Sequence, residues 1–270
     1  MKLKLIFILI IFINSYGYSQ KLAINIDAGY GLKIASSSYS EGRYSFIDIN
    51  NGELSLIKYS LGSGLNLNSE LEYSPIRFLK FGLGIGYLSS SFSFKHNFGS
   101  YIENNRVSAK MIRFSPYLKG KINLDKFNLY FRLGYILGLN GEIILKKDWT
   151  SSQGDQSVTK RRFNENLSHG AVSGLGIEYE ITTRIFILAE VKLFIQSFGP
   201  GKKELFVSTT NGENRLDEIE PRRIHTNYVT SYKSDALAFN DPLKPEVQLI
   251  QFYPFSSIGL NLGLSYKIIK

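Results

Sequence analysis

Strict two-residue alternation of apolar with small or polar side chains recurs eight times along this chain, and few folds tolerate that pattern. The clearest run is Leu22, Ile24, Ile26, Ala28, Tyr30, Leu32, Ile34, interleaved with Lys21, Ala23, Asn25, Asp27, Gly29, Gly31 and Lys33. Side chains two apart share one face of a strand, so such a segment has one oily face and one wet face. The same alternation spans Tyr59 to Tyr73, Leu79 to Tyr87, Ile112 to Leu124, Phe127 to Leu139, Ala171 to Ile181, Ile185 to Ile195 and Ile258 to Ile268. Most of these runs reach the roughly 9 to 11 residues that a tilted strand needs to cross a bilayer.

The connections alternate in length. Tyr73-Ser74-Pro75-Ile76-Arg77, Asp125-Lys126 and Thr182-Thr183-Arg184 are tight turns, whereas Ser37 to Lys58, Lys95 to Lys110, Lys146 to Ser168 and Phe198 to Gln248 read as long loops. Short turns on one rim and long loops on the other are what an up-and-down barrel between two compartments requires. Within the first loop, Asn50-Asn51-Gly52 between two apolar stretches reads as a hairpin tip.

Alternation alone does not decide which face points out, since a soluble barrel alternates with its oily face inward. Two features decide it. Aromatic residues on the apolar parity fall near both ends of the runs: Tyr73, Phe127, Tyr179 and Tyr266 by the turns, Tyr59, Tyr87, Phe114 and Tyr135 by the loops. Such positions suit lipid headgroups. The opposite parity is rich in glycine, including Gly82, Gly84, Gly86, Gly134, Gly174, Gly176 and Gly263, as a crowded narrow lumen demands. The expected fold is all-β, an eight-stranded antiparallel up-and-down transmembrane β-barrel with long extracellular loops.

At the N-terminus, Lys2 and Lys4 precede the apolar stretch Leu5 to Ile13, and Gly17 and Ser19 offer a small-residue cleavage site. This reads as a secretory signal peptide over residues 1–19, leaving residues 20–270 as the barrel domain. There is no cysteine, which excludes disulfides and thiol or iron-sulfur chemistry. The expected location is the outer membrane. The formal charge is +9, falling to +7 when Lys2 and Lys4 leave with the signal. Its basic residues are scattered and no nucleic-acid motif is present, so no nucleic-acid partner is expected. Lys146, Lys147, Lys160, Arg161 and Arg162 cluster in the third loop and are positioned to touch anionic lipopolysaccharide, against the plainer reading of a solvated loop.

The signal-like N-terminus, the eight alternating runs, the short turns and long loops, and the terminal Gly263-Leu264-Ser265-Tyr266-Lys267-Ile268 resemble the small outer-membrane β-barrel proteins of the OmpA-barrel, OmpX and opacity type, in versions found in Bacteroidota. The resemblance covers nearly all of the chain after residue 19 and rests on architecture. The last residue is Lys270 instead of a terminal aromatic, although Tyr266 and Ile268 keep the outward parity. The resemblance implies assembly by the barrel-insertion machinery and a role in adhesion, envelope integrity or surface interaction, the loops meeting an external protein or glycan.

Three functional classes follow: a structural or surface-interaction barrel, a narrow ion or small-solute channel, and a lipid A-modifying enzyme. Eight strands enclose a space largely filled by side chains, which disfavours an open pore. A Ser-His hydrolase needs a histidine beside a serine, and His169 and Ser173 share a face but stand about 13 Å apart along an extended strand. His96 and His225 are the other histidines, and position 171, where a His-x-Ser pair would place its serine, is Ala. No catalytic residue, metal site or cofactor is therefore assigned; Asp217, Glu218 and Glu220 lack the spacing of a calcium loop. The inward parity carries Glu70, Glu72, Lys80, Arg113, Lys119, Lys121, Arg132, Glu178, Glu180, Glu190 and Lys192. Counting from the Asp125-Lys126 turn sets Lys119 nearly opposite Arg132. The expectation is a mid-barrel cluster of Arg132 with Glu190 or Glu178, plugging the lumen, such that Arg132→Ala lowers stability and raises conductance.

Overall fold

A computed structural model describes residues 21–34, 59–231 and 241–268, together with backbone pairing alone at several positions from 37 to 58. The expected signal segment lies outside the described residues. Twelve strands carry the architecture: β1 (Lys21–Lys33), β2 (Gly64–Ile76), β3 (Leu79–Asn97), β4 (Tyr101–Leu124), β5 (Phe127–Ser151), β6 (Gln156–Asn164), β7 (Ser168–Glu180), β8 (Ile185–Phe198), β9 (Lys202–Thr210), β10 (His225–Val229), β11 (Glu246–Leu249) and β12 (Ser257–Lys267). Eight of them, β1, β2, β3, β4, β5, β7, β8 and β12, pair antiparallel in a closed ring, the last returning to the first through Ile26↔Leu264 and its neighbours. Closure leaves no free edge, which is what lets backbone polar groups sit in hydrocarbon.

The outer wall is apolar and bare. Leu175 is 70% exposed, Leu133 63% and Leu260 58%, while the inward Glu72 and Lys119 are at 0%. Water would reverse those two sets, so the wall faces lipid and the barrel is transmembrane. Phe127, Tyr179, Tyr266, Tyr87 and Tyr135 are all exposed on it, as expected for the two rims. Tyr59 is not. It is 4% exposed, and Leu61 beside it is fully buried, because β2 begins only at Gly64 and the preceding residues turn into the barrel mouth.

The turn rim is built from short connections. Asp125 takes a positive φ of 46°, a conformation that Asp tolerates better than most residues, and closes β4 onto β5 with Lys126. The register slips between Tyr73 and Ile76, where Pro75 has no N–H to contribute to a ladder.

On the opposite rim the connections are more ordered than the sequence suggests. Lys95 to Lys110, read as a loop, belongs almost entirely to strands: β3 and β4 stay paired up to Asn97↔Ile102. Lys146 to Ser168 likewise continues β5 and adds β6. β5 branches, pairing with β7 along Phe127 to Gly138 and with β6 from Ile143 to Thr150. From that branch a sheet climbs away from the ring in the order β5, β6, β9, β10, β11. Leu205-Phe206-Val207-Ser208 and Thr226 to Val229, both within the stretch Phe198 to Gln248 read as a loop, are strands of this outer sheet, and the ring keeps eight. The expected hairpin in the first loop is paired as Ile47–Asn50 with Glu53–Leu56.

A bulge makes the transition from wall to outer sheet. Ile112 faces Leu139 but Lys110 faces Glu142, so β5 carries one extra residue there, with Asn140 at φ 50°. The bulge flips the parity of β5: Leu137 and Leu139 are on the wall below it, and Ile143 and Leu145 are buried inside above it.

Candidate functional site

The lumen is filled in tiers. Nearest the turns, Lys119 lies 2.6 Å from Glu178 and 3.0 Å from Glu72, with its ammonium 3.8 Å from the centre of the Tyr130 ring. Lys80 bridges the same two carboxylates at 2.7 Å to Glu72 and 3.1 Å to Glu178, and Lys121 adds a contact of 3.1 Å to Glu178. Above this, Arg132 lies 2.5 Å from Glu190 through Nε and 2.5 Å from Glu70 through a terminal nitrogen. Lys192 joins Glu70 at 3.1 Å to Asp27 at 2.8 Å, and the amides of Asn68 and Asn261 both donate to Asp27 at 2.7 Å. The Tyr117 hydroxyl ties the tiers together, 2.8 Å from Glu70 and 3.0 Å from Glu72.

Each of these groups is nearly solvent-free, so the network holds only because every charge meets an opposite one. Taking one buried ion from its partner costs on the order of 3–5 kcal/mol. Lys119 and Arg132 are direct neighbours across β4 and β5, as counting from the turn implies. The structure brings Arg132 to Glu190 and sends Glu178 to the lysines, so the two like charges draw on separate acids. Glu70 and Asp27 were not singled out as partners of this cluster. They come from β2 and β1, across the lumen from β5, and only closure of the ring brings them within reach.

A third tier holds Arg113. Its guanidinium contacts Gln196 and Asn66 at 2.9 Å and the Phe255 carbonyl at 3.2 Å, and it lies 4.6 Å from the centre of the Phe194 ring. Among the described residues no carboxylate pairs with it.

Over Arg113 the barrel mouth is capped by an apolar core in which Leu61, Leu88, Met111, Phe198 and Phe255 are essentially fully buried, continued outward by Val107, Ile143, Leu145 and Phe163. Two chain segments enter the mouth to complete it. The Ser60 hydroxyl donates to the Ser256 carbonyl at 2.5 Å, Leu61 N–H donates to Pro254 at 2.8 Å, and Phe255 N–H donates to Gln196 at 2.9 Å. Gly62 is required at this crossing, because a Cβ there would collide with the Phe255 carbonyl. Alternation did not reveal this core. Its signal is the switch of apolar residues to the inward parity at Leu88 and Met111.

The five basic residues of the third loop are split by strand parity. Arg161 stands opposite the buried Leu145 on the inner side of the outer sheet, in the same parity as Lys147, while Lys146, Lys160 and Arg162 point to the outer side. Lys146 pairs with Asp148 at 2.7 Å, Lys147 lies 3.8 Å from Glu103, and Arg162 lies 2.9 Å from Glu142.

His169 contacts the Tyr135 hydroxyl through Nδ1 on the exposed wall. Ser168, its sequence neighbour, faces inward and accepts a hydrogen bond from the Gln196 amide at 2.7 Å. His96 is buried between Phe94 and Phe98, and His225 opens β10 in an exposed position. Glu178 is committed to three lysines and Glu180 lies half-buried near the turn rim. Among the described residues no group of three or more potential metal ligands comes together.

No family model and no curated protein matches the chain. Among solved structures it is similar to Ail, the attachment invasion locus protein of Yersinia pestis, crystallised in complex with the heparin analogue sucrose octasulfate; identity is 12%, coverage 93% of this chain and 99% of Ail, and the TM-score 0.31. It is also similar to CarO2 of Acinetobacter baumannii, with 11% identity, coverage of 92% of this chain and 100% of that one, and a TM-score of 0.32. The fold assignment rests on the closed ring and its bare apolar wall, independently of either likeness.

Proposed function

We propose that this chain is an outer-membrane surface barrel with a sealed lumen, serving a structural or surface-interaction role through its outer sheet. Residues 1–19 act as the signal peptide, the barrel-insertion machinery assembles residues 20–270, and an external protein or glycan is the partner of the outer sheet. One observation carries the reading: charged tiers and then a dry apolar core occupy the barrel in series, from Lys119 through Arg132 and Arg113 to Phe255. A solute would have to break several buried ion pairs and then displace packed aromatic rings, each step costing several kcal/mol. The contents of the barrel thus serve its rigidity, and the large outer sheet is the part free to meet partners.

The test is reconstitution of purified protein in planar bilayers, paired with surface labelling of intact cells. Silent bilayers and labelled outer lysines are expected. Steady ohmic steps from the wild-type protein would replace this reading with a narrow channel, and recovery in the soluble periplasmic fraction would overturn the location.

A further inference from the structure

On the outer side of the protruding sheet, Arg106, Lys146 and Lys160 stand directly opposite one another on β4, β5 and β6. Like charges facing each other across a ladder destabilise a sheet, so three in a row need a compensating anion. Lys146 has Asp148 beside it, at 2.7 Å. Arg106 and Lys160 form no ion pair among the described residues, and a whole row of cations is left with one acid. The residues flanking this row, Val107, Leu145 and Arg161, point to the other side of the sheet, so the cations share one face.

A second observation lies between this row and the apolar wall. The wall on these strands ends at Ile112 and Leu139, and immediately above it opens a groove of about 680 Å³ lined by Lys110, Leu139, Asn140, Glu142, Asn164 and Leu167. Leu139 and Leu167 continue the oily wall into the groove, while Asn140 and Asn164 offer donors and acceptors to hydroxyl groups. Glu142 is already covered by Lys110 at 2.7 Å and Arg162 at 2.9 Å, and Glu165, which also lines the groove, by Lys202 at 2.7 Å, so neither repels an anion as a free carboxylate would. From Ile112 to Arg106 is about 20 Å along a strand, less in height once the strand is tilted. That distance matches a headgroup that begins at the acyl boundary and rises above it.

We infer that this face binds the phosphorylated sugar headgroup of an outer-leaflet glycolipid, with phosphates on Arg106, Lys146 and Lys160 and the membrane-proximal sugar in the groove. The inference rests on the outer-membrane location proposed above. It deepens the contact expected from sequence by adding Arg106 and removing Lys147 and Arg161, which face the other side. A soluble polyanion is the rival occupant, but it would have no use for the apolar floor at Leu139 and Leu167.

The test titrates labelled phosphorylated glycolipid onto the full-length mature protein in nonionic detergent, comparing wild type with the double variant Arg106→Gln, Lys160→Gln. The substitutions relieve repulsion, so the variant should remain heat-modifiable on a denaturing gel. Its affinity should fall roughly tenfold or more, given the usual contribution of each basic side chain at an anionic surface. Dephosphorylated glycolipid should bind the wild type as weakly as the phosphorylated form binds the variant. Equal binding by wild type and variant would overturn the inference, as would inositol hexakisphosphate competing at the same concentration as the glycolipid. Either result could be obtained with a barrel that still fractionates with the outer membrane and stays silent in bilayers, so failure here is distinct from failure of the proposed function.

Discussion

Tyr117 lies in a slot between Gly82 on β3 and Gly134 on β5, directly opposite both in register. A Cβ on Gly82 would overlap the phenol ring itself. Gly82 is thus the space in which the ring lies flat against the wall, Gly134 makes room for the Tyr117 Cβ, and the hydroxyl is thereby aimed at Glu70 and Glu72. Gly82→Val should push the ring into the lumen and lower stability by about 1–3 kcal/mol, the usual cost of overpacking. Tyr117→Phe keeps the packing but removes the one hydroxyl proton shared between the two carboxylates, at about 1–3 kcal/mol. Unfolding midpoints in urea, followed by loss of heat-modifiable mobility, would measure both. If Gly82→Val proved neutral, the ring would not depend on the slot.

Arg132→Ala removes the cation that lies between Glu70 and Glu190, leaving Lys192 as their nearest remaining base, at 3.1 Å and 3.8 Å. Stability should drop by on the order of 3–5 kcal/mol, the cost of an uncompensated buried charge. Sequence alone suggests that conductance would rise as well. The apolar cap changes that expectation, because Phe198, Phe255 and Leu61 lie in series with the network and do not depend on Arg132. Planar bilayers with Arg132→Ala should therefore stay silent while the urea midpoint falls. Channel activity from this single variant would mean that the cap does not seal the mouth.

These two cases show what alternation reveals and what it hides. Parity assigns Arg132, Glu70 and Tyr117 to the lumen, since inside and outside follow from position along one strand. Height above a turn also places Lys119 beside Arg132. Pairing across the lumen is different: Arg132 reaches Glu70 of β2 only through ring closure and tilt, quantities that no single run contains. The cap was hidden for another reason. The extra residue at Asn140 reverses the parity of β5, so the apolar Ile143 and Leu145 look like more wall until the bulge is known. Tyr59 misled in the same way, an aromatic on the right parity of a run whose strand starts five residues later. The strand character of Lys95 to Lys110 was obscured because both faces there carry polar residues, with no lipid to enforce alternation.

Orientation is tested by trypsin on intact cells. Arg222 and Arg223 lie on a one-turn helix, Pro221–Ile224, between β9 and β10, with no buried residue in it. Such a segment opens locally at little cost, whereas the paired strands on either side do not. The first cut should fall there, within the stretch from Phe198 to Gln248, and mass spectrometry of the released fragments would locate it. Cuts confined to Lys126 or Arg184, at the turn rim, would mean that the barrel is inserted the other way up.

The lipid-facing wall makes the sharpest demand. Leu133 is 63% exposed, directly opposite Leu118 on β4 and Ser173 on β7, and about midway between the Asp125-Lys126 turn and Leu139, where the wall ends. In water, arginine at a site this open would cost almost nothing, since an exposed substitution usually changes stability by less than about 0.5 kcal/mol. Facing hydrocarbon, the same change should cost about 2–4 kcal/mol at the bilayer midplane. Leu133→Arg should therefore lower the urea midpoint in lipid vesicles strongly, while Lys146→Leu, above the wall, should change it little. Ser173→Arg, on the neighbouring strand at the same height, should repeat the effect of Leu133→Arg. A Leu133→Arg protein as stable in vesicles as the wild type would show that this wall does not meet lipid, and the transmembrane assignment would fall with it.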